Sequence, residues 1–91
     1  MSRTIWKFTL EPGVTAIRGY TPIVRHVGVD PAALDNLPTV WVELDPVGDD
    51  IVEVTFIGTG HPVPDNIGFV GSVVTPAGLV WHVYETERRH V

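Results

Sequence analysis

The sequence predicts a single small all-β domain over residues 1–91, an antiparallel sandwich or barrel-like sheet. Short runs rich in Val, Ile, Thr and aromatic residues recur along the chain, as in strands. Clusters of Gly, Pro and Asp separate these runs at regular spacing. One stretch carries helix-start signals, Asp30 before Pro31, and Pro38 limits it, so we expect at most one short helical turn over about residues 30–37.

Alternation of apolar and polar residues indicates six or seven strands. In residues 3–10, Trp6 and Phe8 share one face and Lys7 lies on the other, which is typical of a half-buried strand. The further strands are predicted over residues 14–18, 23–29, 39–44, 51–57, 68–75 and 79–84. Residues 85–91 are interpreted as a polar tail that is a candidate for flexibility.

Proline and glycine mark the turns between these strands. The predicted turns are Glu11-Pro12-Gly13, Gly19-Tyr20-Thr21-Pro22, Asp45-Pro46-Val47-Gly48 and Thr75-Pro76-Ala77-Gly78. The third has Asp first, Pro second and Gly last, as a type I turn does, so the strands on either side of it are expected to pair with each other. That pairing would place Glu43 opposite Glu53, as the solvated face of a hairpin.

The chain contains no cysteine, which excludes a disulfide, a thiolate zinc site and a thiol nucleophile. No apolar run approaches the ~18 residues of a membrane-spanning helix. Residues 1–4 lead directly into a strand rather than into a signal peptide. We therefore expect a cytoplasmic protein without membrane contact.

The charge distribution is more informative than the net charge of −5. The six basic residues lie near the two ends of the chain: Arg3, Lys7, Arg18, Arg25, Arg88 and Arg89. Nucleic-acid binders distribute Lys and Arg along a groove, so we expect no nucleic-acid partner. The acidic middle of the chain either keeps a small domain soluble or meets a basic partner.

Residues 56–66 concentrate special residues in one loop. The glycines on either side of Thr59 leave backbone N–H groups free to form an anion-binding nest. The loop lacks the Lys-Ser/Thr ending of a phosphate loop. His61 precedes Pro62, which holds it out of the α region and can aim its ring outward. Gly58, Thr59, Gly60 and His61 are thus either a ligand or partner site, or a structural corner.

Catalytic and metal signals are weak. Ser2 and Ser72 are the only serines, and neither lies in a nucleophile elbow. His61, His82 and Asp65 are the only combination that resembles a metal site, but the chain has no closely spaced histidine pair. We predict no enzyme activity, no metal and no cofactor.

Eight aromatic residues are many for so small a domain. They are Trp6, Phe8, Tyr20, Trp41, Phe56, Phe69, Trp81 and Tyr84. They either fill the core or form an exposed rim that stacks on a base or anchors a partner protein.

Three blocks carry a family resemblance: Ile5-Trp6-Lys7-Phe8, residues 56–64 and Val80-Trp81-His82-Val83. In order and spacing the chain resembles a family of small phage and prophage proteins, including those of actinobacteriophages, classed as a domain of unknown function. The resemblance implies a phage accessory protein in a bacterial cytoplasm, and it supplies no catalytic residues.

Two hypotheses follow. The first is a non-enzymatic protein that binds and modulates a host bacterial protein, with Trp6, Trp41, His61 and Tyr84 as contacts. The alternative is a protein that sequesters a small anionic ligand such as a nucleotide signal, using the loop at Gly58 to His61, with Arg18 or Arg25 supplying charge. Under either hypothesis a homo-oligomer is plausible, because small domains often cover apolar surface in a symmetric dimer.

Overall fold

The computed structural model describes residues 2–32, 36–65 and 67–90 and confirms the all-β class. Its five strands are β1 (Thr4–Thr9), β2 (Thr15–Gly28), β3 (Thr39–Gly58), β4 (Gly68–Val74) and β5 (Val80–Arg89). All strand pairs are antiparallel and form one curled sheet, a half-barrel. The described ranges contain no helix, so none there is long and apolar enough to cross a bilayer.

The helical turn predicted over residues 30–37 falls largely on residues 33–35, which lie outside the described ranges. Immediately before them, the backbone N–H of Ala32 donates to Asp30 Oδ1 at 3.0 Å. This is the local side-chain-to-backbone bond by which an aspartate closes a turn.

The 20-residue strand β3 is the centre of the sheet. Strand β2 follows it along most of its length, from Thr15 opposite Val54 to Gly28 opposite Thr39. Strand β1 pairs with the first part of β3, and β5 pairs with the last part. Strand β4 then pairs with β5, so every other strand is held by β3 directly or through β5.

Two predicted turns are bulges inside long strands, and the predicted hairpin across Asp45 to Gly48 is wrong. Gly19 pairs with Asp50 and Tyr20 with Asp45, so residues 46–49 leave the ladder. The segments on either side of them are consecutive parts of β3, and both pair with β2. This explains why five strands occur where six or seven were expected.

Because that hairpin does not form, Glu43 and Glu53 do not face each other. Glu43 lies opposite Ile5 on one side and Ile23 on the other. Glu53 lies opposite Ala16 and Glu87.

Close backbone contact produces the bulge. A Cβ on Gly48 would lie 2.6 Å from the Tyr20 backbone nitrogen, so only glycine fits there. Thr21 adopts a positive φ of 45°, and its N–H donates to Asp50 Oδ2 at 3.0 Å. The N–H of Val47 donates to Asp45 Oδ1 at 2.9 Å, which closes the excursion locally.

The core is aliphatic. It consists of Leu10, Ile17, Val40, Val42, Leu44, Val52, Val54 and Val83. None of the eight aromatic residues is fully buried, and Trp6, Tyr20 and Phe69 are exposed. The aromatic side chains thus surround the core instead of filling it.

The last strand is longer than predicted. It continues past Tyr84 to Arg89, which lies opposite Ile51 of β3. Arg89 also forms an ion pair with Glu53 at 3.2 Å. Most of the segment interpreted as a polar tail is therefore strand.

Candidate binding site at the end of strand β3

Gly58, Thr59, Gly60 and His61 form a tight turn where β3 ends. The N–H of His61 donates to the Gly58 carbonyl at 3.2 Å, and Gly60 has a φ of 89°. A positive φ at the third position of a four-residue turn is the reason for glycine there. Backbone shape thus accounts for the glycine at position 60.

Gly58 also allows two aromatic rings to converge. It lies opposite Trp81 in the β3–β5 ladder. A Cβ on Gly58 would lie 3.1 Å from His61 Cδ2 and 3.2 Å from Trp81 Cζ3. The missing side chain therefore leaves room for both rings beside the β3 backbone.

An open apolar groove of about 620 Å³ lies beside this turn. Its lining residues are Pro12, Gly13, Phe56, Ile57, Gly58, His61, Pro62 and Trp81. The Thr55 hydroxyl donates to the Gly13 carbonyl at 2.7 Å, which holds the loop after β1 against β3. The groove thus combines three segments that are distant in sequence.

The aromatic floor of the groove is held in place by contacts within the chain. Phe56 and Trp81 make an edge-to-face contact with centroids 5.0 Å apart. The Trp81 indole N–H donates to the Asn36 carbonyl at 2.7 Å. Because that donor is satisfied within the chain, the ring offers the groove its apolar surface.

A second hollow, of about 240 Å³, lies on another side of the turn and includes His82, Val63 and Tyr84. His82 Nε2 lies 3.0 Å from the Thr59 hydroxyl, and Nδ1 lies 2.7 Å from the Ser72 hydroxyl. Each hydroxyl can donate or accept. These bonds attach the turn to β5 and, through Ser72, to β4.

The hydrogen bonds of His82 are relevant to the metal site and to the serine nucleophile that were considered from the sequence. Both His82 nitrogens are already occupied by hydroxyl groups. No cluster of three or more His, Asp or Glu side chains suited to a metal occurs in the described part of the chain. Ser72 contacts His82, but the partner on the other ring nitrogen is Thr59, not a carboxylate of the kind that orients a catalytic histidine.

The residues named from the sequence are only partly brought together. His61 and Tyr84 line the second hollow with Gly58, Thr59 and Gly60. Trp6 lies on β1, and Trp41 is half-buried against His26 with ring centroids 5.1 Å apart. Neither tryptophan lines the hollows around the turn.

The two arginines also lie elsewhere. Arg18 pairs with Asp49 at 3.6 Å, and Arg25 pairs with Glu43 at 3.1 Å. No Lys or Arg is among the residues that line the hollows around the turn. A phosphate at Gly58 to His61 would therefore find no Lys or Arg among the described residues that line these hollows.

Sequence reasoning missed part of the groove. The sequence pattern places Trp81 on the last strand and Pro12 in a turn, but it does not bring either residue to the loop at Gly58. A glycine such as Gly58 at the end of a predicted strand is a weak signal, because a large aromatic residue often covers a cross-strand glycine, but the pairing with Trp81 depends on the β3–β5 register. No local signal connects Pro12 with Pro62.

The structure is thus a small all-β domain with an open apolar groove beside the Gly58–His61 turn. The chain belongs to the domain-of-unknown-function family DUF7352, whose family model matches residues 1–91. No curated protein and no solved structure matches it significantly.

Proposed function

We propose that this chain is a non-enzymatic binding domain that takes up an apolar segment of a partner protein in the groove beside the Gly58–His61 turn. The rigid floor formed by Phe56 and Trp81 carries the proposal. Binding a segment on a preformed aromatic surface avoids the cost of ordering flexible side chains. The sequence resemblance supports a more specific form of this proposal, in which the domain is a phage accessory protein that acts on a host protein in the bacterial cytoplasm.

Two carboxylates that lie close in sequence to residues of the groove favour a partner segment with basic flanks. Pro12 follows the exposed carboxylate of Glu11, and exposed Asp65 lies close to Pro62 in sequence. The chain's Lys and Arg residues pair with other carboxylates, namely Asp30, Glu43, Asp49, Glu53, Glu85 and Glu87. Glu11 and Asp65 are therefore available to a cationic partner, and rising salt should weaken the complex.

The test starts with capture of proteins from a bacterial lysate on the immobilised domain, followed by affinity measurements with the purified captured protein. Pro62→Asp places a charge in the groove at an exposed position, so we expect the dissociation constant to rise at least tenfold. Val47→Asp is the matched control because Val47 is 83% exposed and lies in the bulge of residues 46–49, outside the groove.

Equal binding of wild type, Pro62→Asp and Val47→Asp would contradict the groove as the site. Amide NMR spectra of each variant show whether the fold is retained. Salt-independent binding would contradict the basic character of the partner.

A further inference from the structure

Strand β1 offers a regular, unprotected sheet edge. It pairs with β3 through six consecutive residue pairs without a register shift, and no second strand of the described chain pairs with it. Five of its six residues are exposed, including Ile5 at 56% and Trp6 at 48%. Unpaired backbone N–H and C=O groups along such an edge can pair with another strand.

The other free edges are protected. Strand β2 has three register shifts, and β4 has one between Phe69 and Gly71. The end of β5 beyond its pairing with β4 carries Glu87, Arg88 and Arg89. Bulges and charges are the usual devices that prevent edge-to-edge pairing, and β1 has no bulge.

The two cations next to or within β1 point away from its free edge. Arg3 donates to Glu43 Oε2 at 2.6 Å and to the Thr21 carbonyl of β2 at 2.7 Å. Lys7 Nζ lies 2.7 Å from Oδ2 of Asp30, just after β2. Since β2 and β1 lie on opposite sides of β3, both side chains reach across β3. Both charges are therefore paired within the chain, although the Lys7 side chain stays half exposed on the face of β1 that also carries Ile5.

We propose that β1 pairs antiparallel with β1 of a second copy of this chain, so that two half-barrels share one continuous sheet. The proposal is independent of the groove, to which no β1 residue contributes. A second copy fits because the edge is self-complementary in one register, as a two-fold symmetric contact requires.

That register follows from the charges. In a pair of antiparallel strands, residues directly opposite each other point to the same side of the sheet. A two-fold axis between two β1 strands must therefore set one residue directly opposite the same residue of the second copy. An axis at Ile5 would set Arg3 against Lys7 of the second copy, and an axis at Lys7 would set two lysines together. Like charges directly opposite are destabilising. An axis at Trp6 avoids both clashes, and it pairs more of Thr4–Thr9 than an axis at Thr4 or Phe8 would. It also pairs the two Trp6 rings and sets Ile5 against the aliphatic stem of Lys7.

The absence of cysteine makes single-cysteine cross-linking a clean test. With the axis at Trp6, Trp6→Cys brings the two Cα atoms to about 4.5–5.5 Å, within reach of a disulfide. Thr4→Cys is the matched control on the same face, because its two copies would lie about 14 Å apart, four residues along the strand. We expect a covalent dimer from the first variant under mild oxidation and none from the second.

Light scattering on the unmodified chain completes the test. We expect twice the 10.0 kDa chain mass at millimolar concentration. Ile5→Lys would set a charge against Lys7 of the second copy and should raise the dimer dissociation constant at least tenfold, whereas Val47→Lys should not. A monomer at millimolar concentration would overturn the proposal, and equal cross-linking of Thr4→Cys and Trp6→Cys would overturn the register.

Discussion

Gly48 lies at the closest approach of two backbones. A Cβ there would come within 2.6 Å of the Tyr20 nitrogen and 2.8 Å of its Cα. Neither atom can move without shifting β2 as a whole. Gly68 differs, because a Cβ there would meet no atom within 4 Å.

We therefore expect opposite outcomes from two Gly→Ala substitutions. Gly48→Ala should lower the free energy of unfolding by about 1–3 kcal/mol, as overpacking does. Gly68→Ala should change it little, or raise it by about 0.4–1 kcal/mol by restricting the unfolded chain. Urea denaturation of both variants checks this, and a neutral Gly48→Ala would contradict the close contact.

The segment around Gly48 also shows that one local sequence pattern can fit two structures, a hairpin turn and a bulge. The motif Asp45-Pro46-Val47-Gly48 is typical of a type I turn, and Asp45 does accept a hydrogen bond from the Val47 N–H. The same local geometry fits a bulge. The choice between a hairpin and a bulge depends on whether β2 is present to pair with both flanking segments, which four residues cannot reveal.

At the scale of the element, β3 holds its neighbours through side chains as well as through its ladders. Glu43 accepts from Arg3 beside β1 and from Arg25 of β2. The Arg3 hydrogen bond, and then that of Arg25, hold the pKa of Glu43 below its ordinary value of 4.5. The Lys7 hydrogen bond, and then the N–H of Ala32, likewise lower the pKa of Asp30.

These lowered pKa values predict an acid-sensitive fold. In the unfolded chain each carboxyl takes up a proton at a higher pH than in the folded chain, so the unfolded state binds more protons in between. The stabilisation by Glu43 is complete above about pH 4.5 and is lost as pH falls through the lower, folded pKa.

Denaturation measured from pH 7 to pH 2 tests the role of Glu43. We expect Glu43→Gln to be less stable than wild type at pH 7 and to lose less stability on acidification. Glu11→Gln is the control because Glu11 is exposed and forms none of the ion pairs. A Glu43→Gln profile parallel to that of wild type would contradict the assignment.

At the scale of the whole molecule, the sheet closes on itself by packing alone. Strands β2 and β4 lie in contact without pairing in the ladder. Gly71 lies at this contact, since a Cβ there would lie 3.3 Å from Val27 Cγ2. The half-barrel is therefore held at this seam by van der Waals contact.

A double-mutant cycle tests this seam. Gly71→Ala should be destabilising in the wild-type chain because Val27 has to move. In a Val27→Ala background the same substitution should be neutral or stabilising, which gives a coupling of about 1 kcal/mol between residues in contact. Additive effects of the two substitutions on the free energy of unfolding would show that the strands are not in contact there.

For the candidate site, the sequence predicts an unusual glycine-containing loop at Gly58 to His61. In the structure these residues form a tight turn, with a positive φ at Gly60. The sequence does not predict the groove. Pro12 and Trp81 reach the turn only because β3 and β5 pair and Thr55 holds the Gly13 carbonyl. Arg18 and Arg25 form ion pairs with Asp49 and Glu43, which are also far from them in sequence, so these pairs could not be predicted either.

From the sequence alone one can predict the all-β class, the approximate strand positions and a glycine-containing loop after β3. These depend on alternation, β-branched residues and glycine, which act over a few neighbouring residues. The folded chain alone reveals that β3 is one continuous strand, that the core is aliphatic with aromatic residues around it, and that β1 has a free edge. Those features depend on which strands meet, and strand pairing is set by contacts between residues far apart in the chain.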